Sequence, residues 1–151
     1  MQVLILLGSN SDLETMAGCG ELLTRFGVKY RQEISSAHRQ PEATIALVKK
    51  AESEGAKVII AAAGMAAHLP GFVASQTMLP VIGIPMAGSA LAGMDSLFSI
   101  VQMPAGIPVA TMAIGAHGAK NAAILAVEIL ALSDGALREK LLTYRKEIGG
   151  K

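Results

Sequence analysis

The chain has one cysteine and no tryptophan, and aromatic residues fill only 3% of its 151 positions. A single thiol, Cys19, forms no internal disulfide, so nothing points to a secreted, cross-linked scaffold. Its neighbours Gly18 and Gly20 mark a small residue in tight helix packing rather than a catalytic thiol. Scarce aromatics remove the stacking platforms of nucleic-acid binders, and a net charge of +1 removes their basic footprint. Charged side chains are also missing from two long stretches, Leu69–Met94 and Ser96–Ala116. Length alone admits membrane spans there, but Pro70, Pro80 and Pro85 interrupt the first and Pro104 and Pro108 the second. Neither keeps an unbroken hydrogen-bonded helix in lipid, so no membrane partner is expected. Met1 runs into an apolar segment without a basic leader, so no signal peptide is expected and the location reads as cytoplasmic. The remaining class is one soluble domain, 1–151, that buries much apolar surface against copies of itself.

What is present alternates between strand and helix patterns. Val3–Leu7 is a continuous apolar run suited to a central parallel strand. A helix is expected over Asp12–Phe26, with Leu13, Met16, Leu23 and Phe26 on one side and Gly27 as its stop. Val28–Ile34 reads as a strand near an edge. Pro41 opens a helix that Gly55 ends, with Ile45, Val48 and Ala51 turned inward. Lys57–Ala63 is a buried strand, and a short helix starts near His68. Val81–Ile84 is a strand delimited by prolines, and a helix at Asp95–Gln102 leads to a fifth strand at Val109–Ile114. Helices at Ala119–Leu132 and Leu137–Lys146 finish the chain. This order predicts an α/β three-layer sandwich around a five-stranded parallel sheet.

Only Lys120, Asn121 and Glu128 interrupt the apolar surface of Ala119–Leu132. A helix apolar on most sides is buried on most sides. One face rests on the sheet; the other takes either a second copy of the chain or the last helix. The sequence favours high-order homo-oligomerisation through this helix, since about 25 cal/mol accrues per Å² of apolar surface covered.

Three strand-to-helix junctions carry the polar chemistry, where open parallel sheets place ligands. In Ser35–Pro41 (SSAHRQP), Ala37-His38-Arg39 sets an imidazole beside a guanidinium. An imidazole moves protons near neutral pH, and a guanidinium forks onto phosphate. In Gly8–Asp12 (GSNSD), Gly8 allows a turn closed to other residues, and Ser9 and Ser11 offer hydroxyls. Free amides of the following helix add donors for an anion, and Asp12 suits sugar hydroxyls. The spacing fits a ribose phosphate; equally, Ser11 or Asp12 caps the helix. It is neither a Walker loop nor a GxGxxG. In Ala62–Gly71 (AAGMAAHLPG), Ala66, Ala67, Leu69 and Pro70 line a dry pocket, Gly64 admits close approach, and His68 sits within. His38, His68 and His117 lack a metal-ligand spacing such as HxxxH, so no metal is expected.

Together GSNSD, SAHR and AHLPG, with Gly93–Gly115 and Gly118–Leu130, resemble the N5-carboxyaminoimidazole ribonucleotide mutase family of purine biosynthesis over nearly the whole chain. The resemblance implies a flavodoxin-like sandwich, a homo-octamer with sites at subunit junctions, a ribonucleotide substrate, and no cofactor. It implies that Ser9, Ser11, Ser36 and Arg39 hold the phosphate and Asp12 the ribose. His38, beside Ala37, would be the proton shuttle, and Gly64, Ala67, His68 and Leu69 would line the base and carboxyl pocket. A related branch that carboxylates aminoimidazole ribonucleotide directly resembles SAHK and an SNxLG-like element, so Arg39, His68 and Pro70 favour the mutase. Met65 stands where the family pattern usually has glycine, and the chain stops at Lys151, earlier than many relatives. The rival classes are a non-catalytic nucleotide-binding module, which has no need of His38, and a phospho-receiver, which lacks its acidic cluster here.

Overall fold

The computed structural model describes residues 1–149. Five parallel strands, β1 (Val3–Leu7), β2 (Tyr30–Ile34), β3 (Val58–Gly64), β4 (Val81–Met86) and β5 (Ala110–Thr111), lie in the order β2-β1-β3-β4-β5. Six helices connect and flank them: α1 (Leu13–Phe26), α2 (Pro41–Ser53), α3 (Leu69–Ala74), α4 (Met94–Val101), α5 (Ala116–Ala131) and α6 (Gly135–Ile148). This is the expected three-layer α/β sandwich of flavodoxin-like strand order. No helix among the described residues is long and apolar enough to cross a membrane.

The period of two in β1 decides which layer each residue serves. Val3, Ile5 and Leu7 pack with α1, α5 and α6, while Leu4 and Leu6 pack with Val48 and Ala51 of α2, Val73 of α3 and Ile100 of α4. Both faces are covered, so the run needs no polar alternate. Gly27 ends α1 with φ of 76°, and Pro41 opens α2 where its missing N–H costs no hydrogen bond. Within α1 the inward residues are Met16, Cys19, Leu23 and Phe26; Leu13, expected among them, is exposed. In α2, Thr44 is buried beside Val48 and Ala51, and Ile45 is only half-buried. Burial pushes the Cys19 thiol up to about 12, in keeping with a packing role.

Two strand limits differ from expectation. β4 runs through Pro85 to Met86 instead of stopping at Ile84. The carbonyls of Gly83 and Pro85 accept from Met112 N and Gly115 N, each at 2.9 Å, on the β5 side. The ring nitrogen of Pro85 faces that side, past the end of β5, so no ladder donor is lost. β5 is two residues long rather than Val109–Ile114, because the chain turns to start α5 at Ala116. Gly118 makes this turn possible: a Cβ there would sit 1.7 Å from the Ala113 carbonyl oxygen.

Of the two covers expected for Ala119–Leu132, the protomer supplies the last helix; Ile124, Leu125 and Ile129 stay half-buried and Leu132 exposed, which leaves surface for a second copy. α5 packs on α1, β3, β4 and α6, and Ala119, Ala122, Ala123, Ala126, Val127 and Leu130 are buried within the protomer. Leu137 and Leu141 of α6 close the same cluster, so the last helix is the cover. Exposed apolar side chains include Leu132 at the end of α5, and Met78, Leu91, Met94, Phe98 and Val101 elsewhere. The chain's end at Lys151 is outside the described residues.

Candidate active site

The chain leaves β1 for β2 on one side and leaves β3 for β4 on the other. A crevice opens at the carboxyl ends of β1 and β3, at this reversal of strand order. A cavity of about 230 Å³ occupies it. Ser9, Ser11, Asp12, Ser36, Ala37, His38, Gly64, Ala67, His68 and Leu69 all line this cavity, so loops expected to cooperate do meet. Arg39 is the exception. It borders an adjoining hollow with Gly8, Ile34, Ser36 and Gln40, and Gly8 and Ser36 belong to both spaces. The more spacious hollow of about 710 Å³ lies at the amino ends of β4 and β5, around Met78, Pro80 and Ile107. It holds one ionisable side chain, Glu52, and lies far from the motif loops.

His38 and His68 come from loops 30 residues apart and stack, with ring centroids 4.9 Å apart and planes at 27°. Phe72 of α3 braces His68 edge-on at 5.6 Å. The loop carrying His38 is tied down beneath it. Buried Ser35 shares a 2.6 Å hydrogen bond with Thr44 of α2, and Gln40 N donates to Ser36 O at 2.8 Å. His117 does not line this cavity, and no group of three or more His, Cys, Asp or Glu gathers among the described residues.

The Gly8–Asp12 loop forms a single 3-10 turn, Asn10–Asp12, capped by Ser9. Ser11 N donates to Ser9 Oγ at 3.3 Å, and Ser9 N to Asp12 Oδ2 at 3.2 Å, which is a capping box. The Ser11 hydroxyl also donates to Ser9 Oγ at 3.0 Å. The amides of Ser9, Ser11 and Asp12 are therefore engaged within the turn, and Asp12 N is the first of the helix amides expected to serve an anion. The two serine hydroxyls remain as the groups that can turn outward. Asp12 serves both readings: it braces the turn and lines the cavity. Burial pushes its carboxyl above the ordinary aspartate value, opposed by the hydrogen bonds from Ser9 N–H and the Ser11 hydroxyl.

The glycines also differ from expectation. Gly8 has no left-handed backbone, and a Cβ would find only ordinary contact, 3.5 Å from the Ala62 carbonyl oxygen. Its missing side chain leaves space above the strand end. Met65, in contrast, has φ of 57°. An L-residue there costs roughly 1–2 kcal/mol that glycine avoids, which accounts for the glycine usual in the family pattern. Ala63, Met86 and Gly88 also line the cavity and were not foreseen. The last two follow from β4 extending beyond Pro85, which sets Met86 in register with Gly64, and no local pattern in the sequence marks that pairing.

Comparisons with known proteins give the family. The AIR carboxylase family model matches residues 2–150. A Brucella melitensis protein named N5-carboxyaminoimidazole ribonucleotide mutase is 54% identical over 97% of this chain and 90% of its own length. The Escherichia coli K12 protein of that name is 50% identical, over 96% of this chain and 86% of its own. The crystal structure of Treponema denticola PurE superposes with TM-score 0.89 at 31% identity, covering 99% of this chain and 92% of that one. On a family model spanning almost every residue and relatives sharing half or more of the aligned positions, the chain belongs to the AIR carboxylase family.

Proposed function

We propose that the chain is an N5-carboxyaminoimidazole ribonucleotide mutase of purine biosynthesis, with His38 as its proton shuttle. The observation that carries this is the meeting of His38 and His68 over a small cavity beside Asp12 and the serine pair. In this reading Ser9, Ser11 and Ser36, with Arg39 reaching from the adjoining hollow, hold the phosphate. Asp12 accepts from the ribose hydroxyls. Gly64, Ala67, His68 and Leu69 enclose the base and its carboxyl group. The shared borders of the two spaces at Gly8 and Ser36 support a ligand that spans them, with its anionic end beside Arg39.

One imidazole then acts twice. Protonated His38 gives its proton to the carbamate nitrogen; the N–C bond breaks, its electron pair stays on nitrogen, and carbon dioxide is released. Carbon 4 of the aminoimidazole donates its π electrons to that carbon dioxide, forming the new C–C bond. Carbon 4 still carries hydrogen at this stage. Neutral His38 takes that proton and aromaticity returns, so one proton is delivered and one recovered. Positioned acid–base groups contribute about 10²–10⁴-fold. Holding carbon dioxide beside its acceptor supplies several further kcal/mol as effective concentration.

The same reading includes assembly of copies of this chain, an octamer by the family resemblance, and a cytoplasmic location. Exposed Met78, Leu91, Met94, Phe98 and Val101 support the assembly. The deciding assay offers the purified protein N5-carboxyaminoimidazole ribonucleotide alone, or aminoimidazole ribonucleotide with bicarbonate. The expected result is 4-carboxy product from the first without added bicarbonate. Product from the second alone would make this a direct carboxylase, and product from neither would leave a binding module.

A further inference from the structure

At the strand ends, side-chain bulk is missing where the backbone would tolerate it and present where the backbone resists it. Gly8 and Gly64 both lack left-handed φ, and a Cβ on either would meet its nearest neighbour at 3.5 and 3.4 Å. Neither glycine is demanded by local conformation or by packing in the protomer. Both border the cavity, so what they leave open is room for a ligand. The residue after Gly64 reverses this. Met65 holds a left-handed φ of 57°, and its side chain is 64% exposed, so no packing within the protomer offsets the strain. Ala92, the other non-glycine with positive φ among the described residues, carries only a methyl and does not line the cavity. Backbone strain of this kind gathers at functional sites, and Met65 lines the cavity.

We propose that Met65 is the apolar wall that keeps released carbon dioxide in the site between its two bonds. The inference rests on the mutase reading. Between cleavage of the N–C bond and formation of the C–C bond, carbon dioxide is neutral and unattached, and only the walls prevent its loss. Buried Ala63, Ala67 and Leu69 line the cavity together with exposed Met65, Ala66, His38 and His68. An unbranched thioether adapts its shape to a bound base and donates no hydrogen bond to a carboxyl group. It excludes water without competing with His38 for the proton.

The test counts label per product molecule, which is independent of turnover rate. N5-carboxyaminoimidazole ribonucleotide carrying ¹³C in its carboxyl group is converted in unlabelled bicarbonate with carbonic anhydrase present. Mass spectrometry then gives the fraction of product retaining ¹³C. The parent should retain most of it, Met65→Gly should retain at least threefold less, and Met65→Leu should recover retention. Met65→Gly relieves the backbone strain, so it folds, and a thermal melt verifies this. Equal retention in Met65→Gly and the parent, or complete exchange already in the parent, overturns the role of Met65. A parent that forms no product at all overturns the mutase reading instead, and this inference with it.

Discussion

In the half of the sheet around β1 and β3, Val3–Leu7 and Val58–Ala62 are fully buried, with helices on both faces and the motif loops above. In the half around β5, the strand has two residues, and Leu91, Met94, Phe98 and Val101 on or beside α4 face outward. The strands of the first half and the stretches Leu69–Met94 and Ser96–Ala116 alike lack charge in sequence, yet the first close a core and the second leave apolar residues uncovered. Low charge alone therefore does not say whether a segment is interior or interface. What separates the halves is whether a second layer is supplied: α6 covers α5, whereas α4 packs chiefly on β3, β4 and β5 among the described residues.

The largest expected effect tests the closed half. His38→Asn should lower turnover by about 10²–10⁴-fold, the usual contribution of a positioned acid–base group. His38 is exposed, and its loop is held by Ser35 and Thr44, so the melt and ligand binding should stay near those of the parent. Turnover within tenfold of the parent would remove the role.

A paired substitution then sets the halves against each other. Val127 is fully buried in the α5 cluster, and a carboxylate there is buried without a partner, costing on the order of 3 kcal/mol. Val127→Glu should lower the melting temperature sharply. Phe98 is 57% exposed, so Phe98→Glu should leave the protomer folded by circular dichroism while light scattering shows a smaller assembly. An unchanged particle size for Phe98→Glu would mean that α4 is not an assembly surface.

How far the sequence could be read follows the same division. Elements closed by local signals were legible: the apolar run of β1, the Gly27 stop, Pro41 at the head of α2. So were the motif loops, because each follows a strand end. What escaped depends on partners distant in sequence. Pro85 reads as a terminator until its ring nitrogen is seen to face past β5, and with it went Met86 and Gly88. The hydrogen bond between Ser35 and Thr44 joins two elements and leaves no pattern in either. Gly8 looked conformational and is instead a space.

A smaller effect should divide the site into its two compartments. Arg39→Lys keeps charge in the adjoining hollow but loses the fork, so phosphorylated ligand should bind about tenfold more weakly. The dephosphorylated nucleoside should bind within about twofold of the parent. Titration calorimetry with both ligands checks this, and equal weakening would show that Arg39 does not meet the phosphate.

The smallest effect concerns what it costs to keep a carboxylate in the closed half. Asp12 is buried, and burial raises its carboxyl above the ordinary value of 3.8 that the unfolded chain would show. Below 3.8 both states are protonated and Asp12 contributes no pH-dependent difference. Between 3.8 and the raised value the folded state binds the proton more strongly, so stability falls as pH rises. Above both values that loss is complete and constant. Asp12→Asn cannot ionise but keeps an acceptor for Ser9 N, which donates to Asp12 Oδ2 at 3.2 Å. The variant should therefore melt higher than the parent at pH 7, by on the order of 1–3 °C, and the gain should shrink toward pH 4. Melts at both pH values and one fixed protein concentration measure the difference. A gain that is constant, or that grows in acid, would show that burial is not what governs this carboxyl.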